Sequence, residues 1–223
     1  MFKHVLFDFD GTLADSSKGI YKSYKTACKE LNLNPISINE FKPLIGPPIS
    51  KIVLNLYPEL SIDKANDFKK IFRLNYDNKD FKMVDWYDDV RNIIPLIAST
   101  DTCSSINIIT NKPTKPTIEL IQSINLHRCF NNIYGIDYIA SDQNDYKTFS
   151  NKQSAISFVL NHNKILSKEA VYVGDTYSDL LASKRNNLNF VAVQYGFHNW
   201  DESELSQADY QIYRFKQLVR LLL

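Results

Sequence analysis

Asp8 and Asp10 stand one residue apart, after the apolar run Val5-Leu6-Phe7 and before Gly11-Thr12-Leu13. A first strand therefore delivers two carboxylates into one loop. Paired carboxylates at a strand end suit phosphoryl chemistry, in which one attacks phosphorus and its neighbour handles the proton of the leaving alkoxide. A carboxylate that attacks an anionic ester has to escape charge repulsion, so the site needs a divalent cation and positive groups around the phosphoryl oxygens. Each acid also has a plainer use: an aspartate that ends a strand caps a turn, and Asp10 is well placed to form one before Gly11. The chemical reading gains from the company these two residues keep.

Three further segments supply that company. Thr110 and Asn111 follow Ile108-Ile109, so the Thr110 hydroxyl and the Asn111 backbone N–H are offered to a phosphoryl oxygen, and Gly11 lets the backbone approach the same group. Asp175 and Asp179 lie in Gly174-Asp175-Thr176-Tyr177-Ser178-Asp179, after Val171-Tyr172-Val173. Two acids four apart share one face of the first turn of a following helix, and a lone capping role would need only one of them. Lys152 opens a segment whose apolar positions Ala155, Ile156, Val159 and Leu160 have helical spacing, which aims its ammonium back toward the strand ends. Lys147 is the competing lysine. A hard cation such as Mg²⁺ takes oxygen ligands and keeps several waters, so no histidine or cysteine cluster is required, and His4, His127, His162 and His198 share no metal or triad spacing.

The elements that would hold these groups follow from the pattern of the chain. Short apolar runs at 5–7, 106–109, 133–136, 171–173 and 190–193 alternate with amphipathic segments of helical length. This predicts an α/β fold with a Rossmann-like, doubly wound parallel sheet covered by helices on both faces. Helices are expected over 88–98, 116–124, 152–161 and 178–186. Asp8, Thr110 and Asp175 each close one of the apolar runs, at the carboxyl ends of strands where such sheets place their crevices. Residues 15–82 contain helical patterns and no evident strand; a loop of that length should be a structure of its own. The expected organisation is a core of residues 1–14 and 83–223 with an inserted α-helical cap at 15–82, broken at Asn34-Pro35, Gly46-Pro47-Pro48 and Tyr57-Pro58.

At 223 residues, with 44% hydrophobic and 23% charged residues, the chain can bury a sizeable core and has the balance of a soluble globular protein. A net charge of +1 excludes the broad basic footprint of a nucleic-acid binder while leaving room for one small phosphorylated ligand. Cys28, Cys103 and Cys129 are dispersed and odd in number, which fits a reduced cytoplasm rather than a disulfide framework. No apolar stretch is long enough to span a bilayer. The expected partner is a small-molecule phosphate monoester, with neither nucleic acid nor membrane, for a monomer or weak homodimer.

Taken in order, Asp8 with Asp10, Thr110-Asn111, Lys152 and Gly174-Asp175 with Asp179 resemble the motifs of haloacid dehalogenase-like (HAD) phosphatases, nearest the phosphoglycolate phosphatase-like branch with a helical cap. The resemblance implies an aspartyl-phosphate on Asp8, whose carboxylate also meets Mg²⁺. It implies an acid and base in Asp10, with its carbonyl on the metal, direct metal binding by Asp175, and Asp179 supporting the metal shell or holding the lysine. Gly11, Thr110, Asn111 and Lys152 would bind the phosphate. Asp10 argues for phosphate esters, because the dehalogenases lack the second aspartate. The chain departs from the pattern after Ile139, where the usual Lys-Pro is missing. Gly46 and Lys51, in Leu44-Ile45-Gly46-Pro47-Pro48-Ile49-Ser50-Lys51, resemble the cap loop that meets substrate. Phosphoglycolate, sugar or glycerol-type phosphates and nucleotides all remain open as substrates. A mutase of the β-phosphoglucomutase kind shares the motifs but carries a histidine in the first cap helix, where this chain has Ile20 and Tyr21. A non-catalytic phospholigand-binding protein would be expected to have lost Asp8, Asp10 or Asp175, and all three are present.

Overall fold

The structure is a computed structural model that describes residues 2–138 and 149–223; Lys147 lies outside the described residues. The strands are β1 (His4–Phe7), β2 (Ala14–Asp15), β3 (Asp85–Trp86), β4 (Ser105–Ile109), β5 (Asn132–Tyr134), β6 (Ala170–Gly174), β7 (Asn189–Val193) and β8 (Tyr210–Ile212). The helices are α1 (Ser17–Glu30), α2 (Ile38–Phe41), α3 (Ile49–Leu56), α4 (Ile62–Asn78), α5 (Val90–Ala98), α6 (Thr114–Ser123), α7 (Lys152–His162), α8 (Tyr177–Arg185), α9 (Glu202–Leu205) and α10 (Val219–Leu222).

Among the described residues, six strands form one parallel sheet in the order β5-β4-β1-β6-β7-β8. β1 sits inside it, with Phe7 in register with Ile108 on one side and Val173 on the other. Asp8, one residue past Phe7, and Thr110 and Asp175, two past Ile108 and Val173, therefore leave the sheet close together at its carboxyl edge. Both faces of β1 are buried: Val5 and Phe7 belong to one apolar cluster and Leu6 to the second. This explains why the strand reads as a continuous apolar run rather than an alternating one.

The 15–82 segment is helical, with α1 packed on α4 and α3 on α4. Its core is aromatic: Tyr24 stacks on Phe41 with ring centroids 4.2 Å apart and lies 6.0 Å from Phe68. Ser37 and Glu40 form a capping box that starts α2, and the Ser61 side chain caps α4, each satisfying donors that a helix start leaves free. The chain enters and leaves this insertion through a short antiparallel ribbon, Ala14 opposite Trp86 and Asp15 opposite Asp85, which two-residue runs do not announce in a sequence. Lys42 Nζ meets Asp15 Oδ2 at 2.7 Å beside that ribbon.

The expected strands and helices are present, shifted at their ends by up to two residues. β8 was not foreseen: its two exposed residues, Tyr210 and Gln211, give an edge strand little apolar signal. No described helix is long and apolar enough to cross a membrane, and the three cysteines are free thiols.

Leu6 is fully buried at the centre of the sheet. Leu6→Ala is expected to lower unfolding free energy by about 2–5 kcal/mol, read as a fall in the urea midpoint without a change in slope.

Candidate active site

Strand register brings Asp8, Thr110 and Asp175 to one edge, and the loops and helices that follow fix their side chains. The Asp8 N–H donates to the Val173 carbonyl at 2.9 Å and the Thr110 N–H to the Tyr134 carbonyl at 3.0 Å, so each residue is the last tied to its neighbouring strand. Gly11 turns the chain with φ +84°, and a Cβ there would lie 2.0 Å from Asp175 Oδ2. Gly196 approaches from the other side, where a Cβ would fall 2.3 Å from Asp175 Cβ. Both positions need glycine because the loops close over a carboxylate. The Phe197 N–H then donates to Asp175 Oδ2 at 2.8 Å.

Lys152 is the first residue of α7, started by a capping box between Asn151 and Ser154. Its ammonium reaches back to the strand ends, 2.9 Å from Asp8 Oδ2 and 2.5 Å from Asp179 Oδ1. The second oxygen of Asp179 accepts from the Thr176 hydroxyl at 2.6 Å and the Thr176 N–H at 3.1 Å. One acid thus both anchors the lysine and caps α8, so its lone pairs are largely committed.

The candidate cation ligands fit a hard divalent ion. Asp8, Asp175 and Asp179 are buried with ligand oxygens all within 4.8 Å of one another, and Asp8 Oδ1 is a buried oxygen without a hydrogen-bond partner. Against these three carboxylates stands the single ammonium of Lys152. An all-oxygen set with excess negative charge suits Mg²⁺; Asp8 and Asp175 keep coordinating capacity, whereas Asp179 is engaged with its partners. The electrostatics agree. Burial pushes Asp8 up from the ordinary 3.8 to about 7, with Lys152 pulling it down and Asp179 pushing it up. Burial, then Asp8 and Asp179, hold the Asp175 carboxyl well above its usual range. Lys152 stays charged above its ordinary value because Asp179 and Asp8 outweigh its desolvation.

Asp10 is not one of the carboxylates of this cluster. Its carboxylate pairs with Lys112, whose Nζ lies 3.0 Å from Oδ1 and 3.5 Å from Oδ2 and also donates to the Tyr76 hydroxyl. Burial opposes the Lys112 charge, but Asp10 and Tyr76 keep it protonated above the ordinary range. Neither Lys112 nor Tyr76 was singled out in the sequence. Lys112 follows Thr110-Asn111 directly, and a lysine three residues beyond a strand end was the available signal.

A cavity of about 370 Å³ brings Asp8 and Lys152 together with Asp10 and Lys112. Asp8, Asp10, Thr110, Lys112 and Lys152 line its floor, and Ile45, Gly46, Lys51, Phe72 and Arg73 of the helical segment line the opposite wall. Gly46 (φ +140°) accepts a 2.8 Å hydrogen bond on its carbonyl from Asn111 Nδ2. The Asn111 side chain therefore ties the insertion to the core. Lys51 is exposed at the cavity's margin. The loop 194–196 packs on the Asp175 side through Gly196.

Residues 5–193 match the family model described as haloacid dehalogenase-like hydrolase. Among curated relatives, a 5'-nucleotidase of Pseudomonas aeruginosa is 26% identical over 92% of this chain and 89% of its own length. A phosphoglycolate phosphatase of Photobacterium profundum is 22% identical over 97% and 94%. Among solved structures, a predicted phosphatase from Clostridium acetobutylicum superposes with a TM-score of 0.86 at 25% identity, covering 99% of this chain and 98% of that one.

The raised Asp8 carboxyl has a thermodynamic sign. Between the ordinary 3.8 and about 7, the folded state binds more protons than the unfolded state, so stability falls as pH rises through that window. In chelator, the unfolding free energy of the native chain relative to Asp8→Asn is expected to decline as pH rises through this range. A flat difference across denaturant titrations would contradict the assignment.

Proposed function

Because this chain belongs to the haloacid dehalogenase-like hydrolase family, we propose that it is a Mg²⁺-dependent phosphomonoesterase acting on a small phosphorylated metabolite through an aspartyl-phosphate. The observation that carries this reading is Asp8 itself: a buried carboxylate with one oxygen on Lys152 and the other without a partner, opening on the same cavity as Asp10.

Mg²⁺, held by Asp8, Asp175 and the Asp10 carbonyl with Asp179 in support, would neutralise the phosphoryl oxygens. Lys152, the Thr110 hydroxyl and backbone N–H groups at Gly11 and Asn111 share that task. An Asp8 oxygen attacks phosphorus, the bond from phosphorus to the ester oxygen breaks, and Asp10 gives its proton to the departing alkoxide. Asp10 then takes a proton from water, whose oxygen attacks phosphorus. The bond to Asp8 breaks, releasing inorganic phosphate and leaving Asp8 ionised and Asp10 protonated for the next cycle.

Residues 15–82 act as the cap, and Gly46 and Lys51 stand where specificity would be set. The curated relatives carry the names of phosphatases for different esters, a 5'-nucleotidase and a phosphoglycolate phosphatase. This supports a shared reaction with a substrate chosen by the cap, from among phosphoglycolate, sugar or glycerol-type phosphates and nucleotides. Ile20 lines the cavity from α1, an apolar side chain that can move no proton, which favours a hydrolase over a mutase.

Phosphate release from a panel of small phosphomonoesters should require Mg²⁺ and be abolished in Asp8→Asn. Asp10→Asn should lower turnover of alkyl esters by about 10²–10⁴-fold. Metal-independent release, or full activity in Asp8→Asn, would rule this mechanism out.

A further inference from the structure

The side chain of Lys112 is 1% exposed, yet among the described residues its ion pair is with Asp10 and not with the carboxylate cluster that Lys152 serves. Its ammonium has three donors and three acceptor atoms around it, the two oxygens of Asp10 and the Tyr76 hydroxyl. Aromatic walls hold it there: its Nζ lies 5.4 Å from the Phe9 ring centroid and 4.6 Å from that of Tyr76, within cation–π range. Among the described residues, Lys112 is the side chain that holds the Asp10 carboxylate.

Tyr76 comes from the last turns of α4, in the helical insertion. It is 2% exposed and stacks on Phe72 at 5.4 Å, and Phe72 lines the cavity. A single chain of contacts thus runs from a cavity wall of the insertion, through Tyr76 and Lys112, to Asp10. A lysine committed to phosphate would have to give up these partners, whereas Lys152 already supplies an ammonium at Asp8.

The geometry points to Lys112 and Tyr76 as positioning residues that make the orientation of Asp10 depend on α4 being seated on the sheet. The inference rests on the proton-transfer role proposed above for Asp10. With α4 seated, the Tyr76 hydroxyl fixes the ammonium, and the ammonium fixes both oxygens of Asp10. With α4 lifted, Lys112 gains water and Asp10 loses its hold. A substrate that fills the cavity against Phe72 therefore sets the position of the carboxyl group that its own turnover needs.

The test uses Tyr76→Phe, which removes one hydroxyl and keeps the ring, together with Lys112→Met and Lys112→Arg. p-Nitrophenyl phosphate has a leaving group that departs without a proton, so its first step does not call on Asp10, while hydrolysis of the aspartyl-phosphate does. Stopped-flow traces of Tyr76→Phe and Lys112→Met should keep the initial burst of p-nitrophenol and lose roughly tenfold or more in the steady state. Turnover of glycerol 2-phosphate, which leaves as an alkoxide, should fall in the same proportion with KM little changed. Lys112→Arg should restore part of it. A burst that falls together with the steady state, or a rise in KM alone, would make Lys112 a phosphate ligand or a packing residue and overturn the inference. Hydrogen exchange of residues 62–78 reads the same linkage without activity: protection should drop in Lys112→Met, and unchanged protection counts against it. Should the native chain hydrolyse neither these two esters nor any other of the phosphomonoester panel, the phosphatase reading fails, and this exchange result alone decides whether Lys112 seats α4.

Discussion

Three carboxylates crowded at the carboxyl edge of a parallel sheet, with one lysine among them, set the terms for the rest of this structure. Asp8, Asp175 and Asp179 lie buried with oxygens within 4.8 Å of one another, an arrangement that desolvation and mutual repulsion both oppose. Lys152 bridges Asp8 and Asp179, and backbone and hydroxyl donors from Thr176 and Phe197 take up further lone pairs. What stays uncompensated, above all Asp8 Oδ1, is the part a divalent cation would meet. Charge left over after such careful pairing is better understood as a reactive site than as a structural ion-pair network, because a network built for stability has little reason to leave a buried oxygen bare.

The backbone around this cluster follows from the same constraint. Carboxylates can be enclosed only if loops come close, and Gly11 and Gly196 close on Asp175 from two sides where any Cβ would collide. α7 and α8 both begin at this edge with capping boxes, so each helix start is tied down where its first residues carry a charged partner. Lys152 is thereby held as the opening residue of α7 and Asp179 within the first turn of α8. Sheet register does the rest, since Phe7 lies beside both Ile108 and Val173 and the three strands end within one residue of that level.

These features divide cleanly by how visible they are in a sequence. Asp8, Thr110 and Asp175 could be placed because strand ends announce themselves as apolar runs followed by turn residues. Lys152 could be placed because the periodicity of α7 starts immediately after it. Lys112 escaped because Thr110-Asn111 already accounted for the loop and nothing local tells a buried lysine from a solvated one. Tyr76 escaped because an aromatic residue in an amphipathic helix reads as packing. Their connection spans 36 residues and exists only once α4 lies on the sheet. The β2–β3 ribbon was hidden for a similar reason: two-residue strands have no period to read. The side chain of Asn111 was also assigned nothing, and it holds the Gly46 carbonyl of the insertion.

The two lysines differ in a way that bears on how such a chain can change substrate without changing chemistry. Lys152 is ion-paired to groups of the α/β core, Asp8 just after β1 and Asp179 from α8, so its pairing does not depend on the helical segment. Lys112 belongs half to each part, with Asp10 below and Tyr76 above. Most of the cavity wall facing the floor comes from the insertion, where Ile45, Pro47, Ile49 and Phe72 present apolar surface and Lys51 and Arg73 present charge. If that cavity takes the organic part of an ester, as proposed, altering those residues would reshape its space and leave the Asp8 cluster as it is. It would not leave Asp10 untouched, because α4 carries Phe72, Arg73 and Tyr76 within four positions of one another. On the proposed reading, selectivity and the set of the second carboxylate would be carried by the same turn of helix, and a substitution there that admits a new ester would also act on the Lys112–Asp10 pair.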